Sequence, residues 1–328
     1  MWFEALTGFP EQSPRQVRKN ITVDGHRLIS HVNGKVLVCG QLETPTLAEL
    51  RERVHASSHK GGQMLVREVI ADVQCLHVNS SNAGSLFQVA SQFNLLEMAS
   101  PSSTPEHGVG IYEYDQTQGP ACAIAAGAGT IYRNYFATVN GQRGQSASSQ
   151  IDCLADLGAA LGNAESRLWQ MRNGYVLASQ SGLIEIAHRL QAASENELDE
   201  VRKLLRIGIQ WNTQVTLNNC LHTVSQAYCS ALPVAYSRHA AQLWLPFARL
   251  VLEAAYEATI CTAILNATVH GNNRVFLTRL GGGAFGNDID WIMGAIQRAL
   301  RIYRHVDLDV AIVSRGSTSD DVQQLVNQ

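Results

Sequence analysis

With 328 residues, 45% of them hydrophobic and 16% charged, the chain has ample material for a buried core and too few charges for disorder. Its 25 basic and 28 acidic residues nearly cancel, and a net charge of −3 leaves no basic footprint for nucleic acid. No run approaches the ~18 apolar residues that span a bilayer, no apolar leader opens the sequence, and seven cysteines without framework spacing suit a reducing, cytoplasmic compartment.

Residues 1–60 read as a cap on the main domain. Segments 21–23, 26–32 and 35–42 alternate in polarity. Asp24-Gly25 and Asn33-Gly34 between them are two-residue hairpin signals, so a three-stranded meander is expected. A helix follows from Thr46, where Thr46 and Glu49 form a capping box ahead of the apolar Leu47, Leu50 and Val54. His55 and His59 stand one helical turn apart, but no acidic partner motif accompanies them, and a solvated helix end is expected rather than a metal site.

Residues 61–328 read as the main domain. Segments 63–70 and 73–78 are expected as strands, and 79–84 carries turn chemistry. Residues 85–91 set Leu86, Gln88 and Ala90 against Phe87, Val89 and Ser91, a strand pattern. Gln88, Ser91, Gln92 and Asn94 are unusually polar for such a segment. Either they face solvent or the strand ends in a ligand cleft. Residues 101–118 read as a long loop carrying Glu106, His107, Glu113 and Asp115, and loops of that length inside a compact domain are often functional. From Gly119 the chain enters a helix, with Pro120 in the first turn and small residues at Ala121, Ala123, Ala125, Ala126 and Ala128 that allow close approach.

The middle of the chain reads as scaffold. Helices are expected over 151–161 and 182–191, and another behind the Ser194/Glu197 capping box. Strands are expected over 207–217 and 224–231, and a long apolar helix over 244–266. Then come a strand at 274–280, three glycines at Gly281, Gly282 and Gly283, and a helix capped by Asn287 or Asp288 with apolar positions Ile289, Ile292, Ala295, Ile296, Ala299 and Tyr303. Strand, glycine loop and helix N-terminus together present free backbone N–H groups to a phosphate. The spacing is neither the dinucleotide fingerprint nor a Walker loop. A buried strand at 308–314 and a short tail helix close the chain.

Gly283-Ala284-Phe285-Gly286 resembles the second phosphate-gripping loop of macrodomains, a G-x-F/Y-G turn that wraps the diphosphate and distal ribose of ADP-ribose. The segments FQVASQFNLLEM, YDQTQGPACAIAAGAGTIYRNYF and VFLTRLGGGAFGN also look similar to a divergent branch of macrodomain-like ADP-ribosylhydrolases, specific for ADP-ribosyl-arginine, with ubiquitin among the associated substrates. The Asn-Ala-Ala-Asn signature of the ordinary first loop is absent. The resemblance implies an α/β fold with a macrodomain-like mixed central sheet flanked by helices, carrying the N-terminal meander and helix as an extension.

The resemblance also implies the site. Gln92, Asn94, Gln118, Gly119, Gly281, Gly282, Gly283, Ala284, Phe285, Gly286 and Asn287 would contact ADP-ribose. Asp115 would be the leading catalytic acid, with Glu106 or Glu97 as the second. The expected reaction is hydrolysis of the N-glycosidic bond between ADP-ribose and arginine of a protein, with no metal and no cofactor, in the cytoplasm or in a host cytosol if the protein is delivered there. Two other readings stay open: a module that binds ADP-ribose without turnover, and an ADP-ribosyltransferase that consumes NAD. Cys122 or Cys229 with His222 could suggest a nucleophilic pair, against which buried structural cysteine is the commoner use.

Overall fold

The computed structural model describes residues 1–327. At its centre lies a seven-stranded mixed sheet in the order Gln41–Glu43, Gly208–Gln214, Thr223–Cys229, Leu86–Ala90, Arg274–Leu277, Asp309–Ser314, Leu65–Ile70. The last five run parallel, and Gly208–Gln214 is antiparallel to both its neighbours. Parallel strands are buried on both faces because their crossovers lay helices there. The Leu86–Ala90 strand shows both coverings. Phe87 stacks on Phe276 of the neighbouring strand and on His77 of the Val73–Val78 helix, while the next residue, Gln88, donates to Thr259 of the Ala241–His270 helix. The mixed central sheet flanked by helices is thus the observed architecture.

The Ala241–His270 helix is 30 residues long and lies against this sheet, packed by the helices Leu47–Ala56, Gln180–Ala192 and Ile289–Ile302. By length and composition it could cross a membrane, contrary to the expectation that no such run exists, but 89% of its most apolar window is buried inside the fold. A helix apolar on all sides is what this central position demands. Its two buried acids are paired: Glu257 with Arg51 and Arg298, and Glu253 with Arg202.

Several segments depart from expectation for local reasons. Residues 73–78 form a helix rather than a strand, because the Asp72 carboxylate accepts the Gln74 N–H and caps it, and Val73 and His77 share its buried face. Residues 35–42 divide at Gly40, where φ is +74° and a Cβ would lie 1.9 Å from the Trp211 carbonyl oxygen. Val36–Val38 completes the meander, while Gln41–Glu43 becomes the edge of the central sheet, so the N-terminal segment is continuous with that sheet. The helices Trp2–Thr7 and Pro14–Asn20 are too short to show periodicity. They enclose a second core with Phe3, Val17, Leu28, Tyr112, Ile131 and Tyr135. The expected single helix after Gly119 is two, Gln118–Ala125 and Gly127–Tyr135, broken at Ala126. The loop at 101–118 is not structureless, since it contains 3-10 turns at Pro105–His107 and Gly110–Tyr114.

Candidate active site

Open parallel sheets bind ligands outside the carboxyl ends of their strands. Here that edge carries a cleft of about 170 Å³. Three chain segments build it. The first leaves the Leu86–Ala90 strand through Ser91 and Gln92 and turns back at Leu95, which holds φ at +64°. This turn is fixed from several sides. Gln92 Oε1 accepts the Met98 N–H at 2.6 Å, Asn94 Oδ1 accepts the Leu96 N–H, and the Tyr175 hydroxyl donates to the Met98 carbonyl at 2.6 Å. Gln88, Ser91, Gln92 and Asn94 are all buried, so the polarity of this stretch serves the turn and the cleft rather than a solvent face.

The turn delivers Glu97 to the cleft wall. The residue is 6% exposed, and its backbone N–H donates to the Tyr112 hydroxyl at 3.0 Å. Its Oε1 is buried without a hydrogen-bond partner among the described residues. Burial pushes the carboxyl well above its ordinary range. Arg133 opposes that shift and Asp115 adds to it. A carboxylic acid held protonated beside a cleft has the character of a general acid.

The second segment brings Asp115 to the start of the Gln118–Ala125 helix. Asp115 Oδ1 accepts the Thr117 N–H at 2.9 Å, so the residue both shapes the helix entry and lines the cleft. Gln118 stitches this helix start to the sheet, accepting the Ala90 N–H and donating to the Gln88 carbonyl. Gly119 is needed for contact: a Cβ there would lie 2.0 Å from the Ala90 carbonyl oxygen and 2.5 Å from Glu97 Oε2. Behind this segment the Glu11 carboxylate accepts the Val109 and Gly110 N–H groups and the Tyr135 hydroxyl, tying the N-terminal region to the Asp115 loop.

The third segment is the glycine loop. Gly281 has φ +76°, and a Cβ would meet Ala231 Cβ at 2.4 Å. Asn287 closes the loop from below, its N–H donating to the Gly281 carbonyl and its side chain to the Leu232 carbonyl. Asp288, not Asn287, caps the following helix. The N–H groups of Gly281, Gly283, Ala284 and Phe285 have no acceptor among the described residues, while Gly282 donates to the Arg279 carbonyl. This leaves a row of donors suited to an anion. Phe285 packs with Tyr175 and Tyr236 at centroid separations of 5.4 and 5.6 Å, the two tyrosines lie 5.2 Å apart, and Tyr236 is 40% exposed.

Of the residues nominated from sequence, Glu97, Asp115, Gln92, Gln118, Gly119, Gly281, Gly283, Ala284 and Phe285 share this cleft. Asn94 does not. It is fully buried and bound to Gln150 and the turn backbone, so it shapes the loop. Glu106 does not either, since it accepts the Ala147 N–H on the exposed side of its turn. Gly286 turns against Ala235, with φ +66°, and serves the loop. Gly282 and Asn287 line a second compartment of about 370 Å³. It adjoins the first through Thr278, Arg279 and Gly283 and includes Asp72, Ile289 and Arg315. Sequence reasoning missed Arg279, Tyr175 and Tyr236. For Tyr175 a signal was present, because Asn173-Gly174 between alternating residues marks the Trp169–Arg172/Tyr175–Ala178 hairpin. Cys122 accepts from Gln118, Cys229 contacts Thr259 and His222 contacts the His77 carbonyl, so no cysteine–histidine pair forms among them.

No family model matches the chain, and no curated protein does. Among solved structures it is similar to poly(ADP-ribose) glycohydrolases. One is a variant from Deinococcus radiodurans in complex with ADP-ribose, at 12% identity and a TM-score of 0.45, over 87% of this chain and 91% of that one. Two others are the enzyme from Thermomonospora curvata, at 12% identity and over 95% of this chain and 93% of that one. One of these is bound to the inhibitor ADP-HPD, at a TM-score of 0.42, and the other has a TM-score of 0.44.

Proposed function

We propose that the protein is a hydrolase that cleaves the glycosidic bond at the anomeric carbon of ADP-ribose, and that its substrate is mono-ADP-ribose on an arginine of a protein. The observation that carries this reading is Glu97, a buried carboxyl without a hydrogen-bond partner on Oε1, standing between an aspartate and a row of free backbone N–H groups. The glycine loop and Arg279 would hold the diphosphate, and the compartment beside Asp72 and Ile289 would take the base. On this reading the distal ribose would lie between Glu97, Asp115 and Phe285.

In the reaction, the bond from the anomeric carbon to the leaving nitrogen breaks as Glu97 gives its proton to that nitrogen. Asp115 takes a proton from water, whose oxygen bonds to the anomeric carbon through an oxocarbenium-like transition state. Exchange of protons with solvent resets both acids. The arginine linkage draws its support from the half-exposed Tyr236 ring, which would meet a guanidinium, and from Asp115, which would offer it carboxylate oxygens. Ubiquitin is a candidate carrier through the sequence resemblance.

The test is release of ADP-ribose from arginine-, serine- and glutamate-linked substrates and from ribose-linked polymer, by the wild type and by Asp115→Ala. Release from arginine alone, lost in the variant, supports the reading. Release from polymer alone keeps the glycohydrolase and removes arginine. Binding of free ADP-ribose without release makes the protein a reader, and consumption of NAD makes it a transferase.

A further inference from the structure

Arg133 is 1% exposed, yet it lies on the Gly127–Tyr135 helix next to the second core. Its guanidinium is held at three points: Nε donates to the Leu95 carbonyl at 3.1 Å, Nη2 donates to Thr130 Oγ1 at 3.0 Å, and Cζ sits 3.6 Å from the centre of the Tyr228 ring. The remaining nitrogen, Nη1, is buried with no hydrogen-bond partner among the described residues. Glu97 Oε1 is in the same condition, two residues along the chain from the carbonyl that Arg133 grips. A buried cation and a buried carboxyl, each with one open hydrogen-bonding position, thus flank the same turn, with no direct ion pair between them.

We propose that Arg133 is a positioning residue for Glu97: by gripping the Leu95 carbonyl it holds the turn that presents the carboxyl to the cleft, and it is the buried cation of that carboxyl's surroundings. The proposal rests on the hydrolase reading above for its meaning, but its electrostatic part can be measured without turnover. Leu95 has a left-handed backbone that leucine adopts at a cost, and the Arg133 bond to its carbonyl compensates for it. The groups facing Glu97 come from every neighbouring element: Asp115 and Tyr112 from the loop, Cys122 and Arg133 from the two helices, Tyr175 from the hairpin and Tyr228 from the sheet. Arg133 is the cation of this set. It favours the ionised form of Glu97, against burial and Asp115. Without it the proton is held to higher pH.

The experiment follows the Glu97 carboxyl by carbon-detected NMR through a pH titration in the wild type, Arg133→Met and Arg133→Lys, with pH–rate profiles alongside. The expected result for Arg133→Met is an upward move of the Glu97 midpoint by about one unit or more. The limb of the rate profile that Glu97 governs moves the same way. Arg133→Lys keeps the charge and loses the fork. It should hold the midpoint near the wild-type value while kcat falls and KM stays, and it carries the test if the methionine variant does not fold. An unmoved midpoint in Arg133→Met, or the same upward move in both variants, overturns the proposal. If the midpoint moves but no linkage is hydrolysed by the wild type, the pair stands and the hydrolase reading falls.

Discussion

Replacing Glu97 by glutamine keeps the shape of the side chain and removes its proton chemistry. The structure gives two consequences of opposite sign. Turnover should fall by about 10²- to 10⁴-fold, the usual worth of a positioned general acid. Binding of ADP-ribose should stay within about threefold, because the glycine-loop donors and Arg279 are untouched. Stability should rise. The folded-state pKa of Glu97 lies above its unfolded value, so between the two the folded state carries the extra proton and loses stability as pH rises. Each unit of that gap is worth about 1.4 kcal/mol. Glu97→Gln should therefore match the wild type near pH 4.5 and exceed it increasingly toward neutral pH. Urea unfolding at pH 5, 6, 7 and 8 reads the stability, and single-turnover release of ADP-ribose reads the chemistry. A variant that turns over within about threefold of wild type, or whose stability difference is flat with pH, would refute the assignment of Glu97 as a buried acid.

Gly119→Ala places a methyl against the Ala90 carbonyl and Glu97 Oε2, and the backbone oxygen cannot yield, so the helix start must shift away from Glu97. We expect a loss of turnover of about 100-fold and a lower Tm by calorimetry. Gly281→Ala adds strain at φ +76° and a clash with Ala231, so titration calorimetry should show ADP-ribose affinity reduced by about tenfold or more with little change of fold by circular dichroism. His77 is buried against Phe87, accepts or donates only within the core, and its pKa is lowered to about 4. The unfolded histidine takes its proton near 6.5, so about 3 kcal/mol of stability is lost as pH falls from 6.5 to 4. His77→Phe should flatten the slope of unfolding free energy against pH in that window.

The glycine loop was legible because its chemistry is local. A strand followed by a glycine run, in which Gly281 needs positive φ, and then by a capped helix is written in consecutive residues, and only the choice of Asp288 over Asn287 as cap waited for the structure. The capping boxes at Thr46/Glu49 and Ser194/Glu197 were legible for the same reason. Residues 73–78 were misread because a short stretch with Val73, Cys75, Leu76 and Val78 as its apolar residues looks alike in strand and helix. The cap at Asp72 decided it. Glu106 and Glu97 were equal candidates from the sequence. Only the turn at Leu95 separates them, because it carries Glu97 inward to the cleft while Glu106 stays on the outer side of its loop. Arg279 and Tyr236 carry no local signature, since an arginine or tyrosine becomes part of a site only when distant strand ends are brought together.

The sequence by itself determined the strand–glycine–helix unit from 274 onward, the polar exit from the Leu86–Ala90 strand and a helix start with small residues after Gly119, because each is fixed by short-range backbone chemistry. Tertiary structure decided what those pieces make. Parallel pairing of the Thr223–Cys229, Leu86–Ala90 and Arg274–Leu277 strands puts their carboxyl ends side by side, and that alignment brings residues 91–99, 115–120 and 278–285 into one cleft. It also buries Glu97 within electrostatic reach of Arg133, thirty-six positions away in the chain. Burial and a neighbouring charge set the protonation of a carboxyl, and both are properties of the packed fold that no stretch of sequence contains.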